Sequence, residues 1–111
     1  MTDSIQQLNQ RLLKFAQDRD WEQFHDPKNL SMALIVECAE LVEHFQWLTP
    51  EQSQNLDLEK KQAVAMEMAD IFIYLIRCAQ RLDIDLIAVA NHKTSINEGR
   101  FPIKKVKGRT D

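Results

Sequence analysis

Apolar and polar positions recur along the chain at the three-to-four-residue spacing of helices, and they divide it into four helical stretches. The first, from about Ser4 to Arg19, carries Ile5, Leu8, Leu12 and Phe15 as a stripe, with Asp3 or Ser4 placed to cap it. Asp20 to Leu30 breaks the pattern: Asp26-Pro27 signals a turn or helix start, and Asn29 is placed to cap the second helix. That helix, from about Leu30 to Trp47, shows a wide apolar face of Leu34, Cys38, Leu41, Val42 and Phe45 and is stopped at Pro50. Thr49-Pro50-Glu51-Gln52 suits a short turn of its own, followed by a polar connection to Asp57. The third helix is the long one, about Leu58 to Leu82 behind an Asp57 cap. The fourth starts near Asp83 or Asp85, presents Leu86, Val89, Ala90 and Ile96, and runs to about Glu98 with Gly99 as its stop.

The third helix holds the stretch that organises the rest. Ala63 to Ile76, AVAMEMADIFIYLI, is apolar nearly all round and has only Glu67 and Asp70 as charges. A helix of that kind is buried on more than one side. A monomer of 111 residues can hardly cover it, so burial in an oligomer is expected, with Arg77 and Arg81 returning the helix to water. Residues three apart share a helix face, which sets Glu67 and Asp70 beside Ala63, Val64, Ile71 and Tyr74. The second helix repeats the device: Leu30 to Val42 is charged only at Glu37 and Glu40, with Glu37 between Leu34 and Leu41.

Carboxylates on an inward stripe are costly unless something neutralises them. Acidic pairs at this spacing are common on helix surfaces, and ion pairs from elsewhere in the fold would also explain them. Three features weigh the other way: both runs are otherwise uncharged, both pairs face the apolar side, and no Lys or Arg stands three or four residues from any of the four acids. Two helices with such pairs point to a shared cation. Four carboxylates make an all-oxygen set suited to Mg²⁺ or Mn²⁺. The Glu-x-x-His of di-iron bundles is absent, since Glu40 and Asp70 fill the fourth positions, and His44 is a poor candidate ligand.

Composition narrows the reading. The chain is long enough for one domain, residues 1–111, ending in a basic tail from about residue 100, and its formal net charge of −3 argues against nucleic acid as a partner. Cys38 and Cys78 lie in apolar helical stretches and read as reduced core residues. No apolar run is long enough to span a membrane, and MTDSIQQLNQ lacks the pattern of a signal peptide, so a cytoplasmic protein is expected. A carboxylate cage for Mg²⁺ leaves positions for water and substrate phosphate. Lys93, Arg100 and the tail lysines could meet the phosphates, although a basic tail is more often only solvated. Trp21, Trp47 and Tyr74 offer faces to a base, Tyr74 standing one turn after Asp70. Each aromatic alone has a plainer role in the core, and the Trp21–Phe24–His25 segment reads equally as a loop folded onto it.

Glu37-Cys-Ala-Glu40 followed by Glu67-Met-Ala-Asp70 carries a resemblance, together with Arg19-Asp-Trp-Glu-Gln-Phe-His25 and Phe45-Gln-Trp47. The chain resembles the MazG-like nucleoside triphosphate pyrophosphohydrolases of the all-α NTP pyrophosphatase superfamily, and within it the small dCTP pyrophosphatase branch. The resemblance implies an all-α, four-helix bundle-like fold that forms homo-dimers or homo-tetramers with sites near subunit contacts. It implies Mg²⁺-dependent hydrolysis between the α and β phosphates, giving a monophosphate and pyrophosphate, as in clearing unwanted nucleotides. It makes Glu37, Glu40, Glu67 and Asp70 the metal ligands, with a free oxygen among them orienting the attacking water. Trp21, Trp47 and Tyr74 match positions of the base and sugar pocket, and Lys93 and Asn97 match substrate contacts. The chain departs from the branch at Leu12, where a His is expected, which leaves room for deoxynucleotides beyond dCTP, such as dATP. Other branches suggest dUTP or phosphoribosyl-ATP. From a different class, a non-catalytic metal- or nucleotide-binding helical oligomer shares the same acids.

Overall fold

A computed structural model describes residues 4–109, so the expected Asp3 cap lies outside the described residues. The helices are α1 (Ser4–Asp18), α2 (Pro27–Glu43), α3 (Pro50–Gln54), α4 (Leu58–Arg81), α5 (Leu86–Arg100) and α6 (Ile103–Val106). There is no strand among the described residues. The spine is α4, whose 24 residues extend roughly 36 Å. It packs along α2 and, less extensively, against α1.

Local chemistry sets the ends of these helices. Asp57 caps α4 by accepting from the Lys60 amide at 2.7 Å, as the sequence suggests. Asp85 does the same for α5 through the Ala88 amide at 3.1 Å. Thr49 and Gln52 close a reciprocal capping box that turns the expected short turn into α3. The second helix corrects the sequence reading at both ends. It begins at Pro27, behind an Asp26 cap that accepts from the Asn29 amide at 2.8 Å. Pro27 has no N–H to lose in a first turn, so the helix starts before Asn29. Asn29 instead donates its Nδ2 to the Phe24 carbonyl at 3.1 Å. The helix ends at Glu43, and residues 44–47 tighten into turns in which the Phe45 and Gln46 amides both bond the Val42 carbonyl. Gly99 is not a stop either: α5 runs through it to Arg100 and ends before Pro102, which disfavours helical backbone at Phe101.

The buried apolar residues are few: Ala16, Leu30, Val64, Ile76 and Ala79. Met66, Met68, Phe72 and Leu75 of α4 are exposed, as are Val42 of α2 and Ile87, Val89 and Ile96 of α5. The apolar circumference of α4 is therefore not covered by its own chain. The radius of gyration is 17.4 Å, against about 13 Å for a compact domain of this length. Arg77 is a further correction. It does not return α4 to water but is only 3% exposed.

Candidate active site

Packing α2 against α4 turns the two acidic pairs toward each other. Carboxylate oxygens of Glu37, Glu67 and Asp70 all lie within 4.8 Å of one another. Glu40 joins them through side-chain hydrogen bonds to both Glu37 and Glu67. The Oε2 atoms of Glu37 and Glu67 are buried and have no hydrogen-bond partner. Withdrawal from water, hydrogen bonding with Glu40 and Glu67, and the charges of Glu40 and Asp70 push the Glu37 carboxyl up to about 7. Glu67 is raised by withdrawal from water and by Glu40 and Asp70. In the absence of a cation the cluster thus holds protons that isolated carboxylates would give up. Orphaned buried carboxylate oxygens converging from two helices fit a hard divalent cation, which Glu37, Glu40, Glu67 and Asp70 would hold.

Next to the acids lies a cavity of about 490 Å³. Glu37 and Asp70 line it, as do Trp21, His25 and Tyr74, and Leu8, Leu12, Phe15 and Ile73 make it apolar. The Trp21 ring stands edge-on to Phe15, with centroids 5.6 Å apart and planes at 74°. Two cations, Arg11 and Arg77, also reach its lining.

Arg77 sits at the centre of a polar cluster. Its Nη2 donates to Glu22 Oε1, and its Nη1 donates to Gln80 Oε1. Gln80 in turn donates its Nε2 to the Asn9 carbonyl at 2.7 Å, and Arg81 donates Nη1 to Glu22 Oε2 at 2.8 Å. Burial works against the charge on Glu22, but Arg77 and then Arg81 outweigh it and hold the carboxyl below its ordinary value. Burial, followed by the Arg77 charge, lowers His25, whose Nδ1 lies 3.5 Å from Arg77 Nη2.

The structure brings Glu37, Glu67 and Asp70 together, leaves Glu40 beside them but outside the group whose oxygens converge, and sets Trp21 and Tyr74 on the adjoining cavity. Trp47 is 86% exposed and does not line that cavity, because the chain has already left α2 in turns. Lys93 and Asn97 stand on α5, which does not pack extensively on α2 or α4, and neither residue lines the cavity. His44 is not in the acidic group. Sequence reasoning left His25 open between a loop on the core and a ligand wall, and it missed Glu22, Arg11 and Arg77. A signal existed for Arg77: it follows Asp70 by seven residues, which returns it to the same face of α4.

These features define an all-α protein in which facing acidic pairs adjoin an aromatic-walled cavity. A profile of the MazG-like family matches residues 32–110. dCTP pyrophosphatase 1 of Homo sapiens is 38% identical over 101 residues, which cover 89% of this chain and 59% of that protein. dCTP pyrophosphatase 1 of Bos taurus is 36% identical over 107 residues, covering 95% of this chain and 63% of its own length. The chain spans about three-fifths of the length of these curated relatives. A pyrophosphatase structure from Archaeoglobus fulgidus superposes with a TM-score of 0.86 at 31% identity, covering 92% of this chain and 95% of that one. The chain belongs to the MazG-like family. No helix among the described residues is long and apolar enough to cross a membrane.

Proposed function

We propose that the protein is a nucleoside triphosphate pyrophosphohydrolase that cleaves deoxynucleoside triphosphates between the α and β phosphates. The observation that carries this reading is the pair of buried, partnerless carboxylate oxygens, Glu37 Oε2 and Glu67 Oε2, beside a cavity walled by Trp21 and Tyr74. A buried polar atom without a partner calls for one, and in an acidic cluster the fitting partner is Mg²⁺ or Mn²⁺. Held by Glu37, Glu40, Glu67 and Asp70, Mg²⁺ would draw charge from the phosphoryl oxygens and make the α phosphorus easier to attack. A carboxylate oxygen of the cluster not engaged by the ion accepts a hydrogen bond from the attacking water and orients it. Water bonds to the α phosphorus, the bond to the bridging oxygen breaks, and pyrophosphate leaves. Trp21 and Tyr74 give the base and sugar apolar faces. The names of the relatives, dCTP pyrophosphatase 1 and a pyrophosphatase, support the same chemistry.

Leu12 lines the cavity and can offer no hydrogen bond to a base edge, which favours dATP as a substrate beside dCTP. The working form is a homo-dimer or homo-tetramer in the cytoplasm. Uncovered Met66, Met68, Phe72 and Leu75 on α4, and the exposed stripe of α5, support that assembly. A second copy would also supply what the single chain does not bring to the cavity: Lys93, Asn97 and Trp47 as phosphate, sugar and base contacts.

The test is pyrophosphate release from dCTP, dATP, dUTP and ATP, with Mg²⁺ and with EDTA, for wild type and Glu67→Gln. Metal-dependent formation of monophosphate plus pyrophosphate, lost in the variant, is expected. A folded, metal-binding protein that releases none from any nucleotide would refute the reading and leave a structural or sensing role for the acids.

A further inference from the structure

We infer that Arg77 is a positioning residue for the nucleotide cavity: through Glu22 it fixes the turn that carries Trp21 and His25, one wall of the site. The inference rests on the proposed nucleotide reading, but its geometry stands independently of it. The segment between α1 and α2 is turn rather than helix. Its backbone bonds, such as Trp21 N to Ala16 O at 2.9 Å and Phe24 N to Trp21 O at 2.9 Å, fix its own shape. They do not say where it stands relative to α4, which carries Glu67, Asp70 and Tyr74.

That placement comes from side chains. Glu22, the residue after Trp21, takes Arg77 on one carboxylate oxygen and Arg81 on the other. Arg77 is in turn locked by Gln80, which is anchored on the Asn9 carbonyl of α1. The turn and α4 therefore meet at one guanidinium, 3% exposed, at the edge of the cavity, and Gln80 links it on to α1. The planar fork serves Glu22 and Gln80 from two separate nitrogens in a fixed geometry, which a lysine ammonium, with its donors on one atom, reproduces only in part. Burial and then the Arg77 charge lower the His25 pKa, and its Nδ1 lies 3.5 Å from the same Nη2. Arg77 thus acts on the substrate through the aromatic wall.

The experiment compares wild type, Arg77→Leu and Arg77→Lys by steady-state kinetics on dCTP with Mg²⁺, and by ¹⁹F NMR of protein labelled with 5-fluorotryptophan. Assignment of Trp21 uses Trp47→Phe. Arg77→Leu should raise KM about tenfold, the cost of ordering a loose wall on binding, with kcat within about twofold of wild type. The Trp21 resonance should broaden or split before any nucleotide is added, while the Trp47 resonance stays put. Arg77→Lys should recover part of both effects. Should Arg77→Leu not fold, Glu22→Gln carries the same expectations, since it weakens the clamp from the other side. Unchanged KM with an unchanged Trp21 resonance overturns the inference. So does an equal fall in kcat and kcat/KM with Trp21 undisturbed, which would place Arg77 in the chemical step. An inactive wild type would refute the pyrophosphohydrolase reading alone, because the nucleotide-free Trp21 signal tests the positioning role without turnover.

Discussion

Removing Glu22 should hurt this protein far more than removing its partner Arg77. Glu22 is 27% exposed on its side chain and Arg77 is 3% exposed, so Glu22→Ala leaves a buried guanidinium with Gln80 as its remaining neutral acceptor and a distant His25 nitrogen. Breaking a fully buried ion pair from one side costs about 3–5 kcal/mol. Here one hydrogen bond survives and the pair is partly wet, so the loss is nearer that of a charge-assisted bond, about 2–3 kcal/mol. The lost Arg81 contact, on a side chain 37% exposed, adds less than about 1 kcal/mol. In a domain of this size such a loss lowers Tm by roughly 10 °C. Arg77→Leu removes the buried charge itself and leaves Glu22 paired with Arg81, so stability should stay within about 1 kcal/mol of wild type or rise. Urea melts of the metal-free protein, all at one protein concentration because assembly would shift the midpoint, provide the comparison. Equal losses in the two variants, or a Glu22→Ala loss below about 0.5 kcal/mol, would refute the claim that a stranded buried charge dominates.

The acidic cluster predicts an inverted pH profile. Glu37 ionises near 4.5 when unfolded and at about 7 when folded, so the native state holds an extra proton between those values, and metal-free stability should fall as pH rises through that window. Glu67 is shifted in the same direction. Thermal melts in EDTA from pH 4.5 to 8 check this; Glu37→Gln should flatten the curve, and a flat wild-type curve would count against it. Added Mg²⁺ competes with those protons, so its stabilising effect should grow over the same interval and be small at pH 5. Asp57→Ala, which strips the cap from α4, should cost about 1 kcal/mol in urea melts. Leu30→Ala, at a side chain 1% exposed, should cost about 2–5 kcal/mol by the same measurement.

Much of the fold can be read directly from residue spacing. The Asp57 cap, the long α4 and the acidic pairs on α2 and α4 are local features, and local rules find them. The errors share a cause. Asn29 reads as a cap because the sequence does not say which of Asp26 and Asn29 stands at the helix start; Pro27 at the first helical position decides it. Gly99 looked like a stop, but nothing requires a left-handed backbone there, and Pro102 ends the helix instead. Arg77 reads as a return to solvent because charge at the end of an apolar run usually is one. Its partner, Glu22, lies 55 residues away, and no periodicity within a helix can announce that pair. Trp47 and the α5 residues Lys93 and Asn97 do not line the cavity of the single chain.

Charge along α4 ties these observations together. One face of the helix carries Glu67 and Asp70 and, two turns further on, Arg77. The acids repel each other and strain for a cation; the arginine is held by Glu22 and Gln80 and keeps the aromatic wall in place. The two ends make opposite demands on stability: the cluster is a local liability that a divalent ion relieves, whereas the Arg77 charge is already neutralised by Glu22 within the chain, although its buried Nε has no hydrogen-bond partner. Substituting the acids should therefore free the fold from a strain and remove function, while breaking the clamp from the Glu22 side should have the opposite effect on stability, lowering it as binding loosens. That contrast in sign separates residues kept for chemistry from residues kept to hold the chemistry in place.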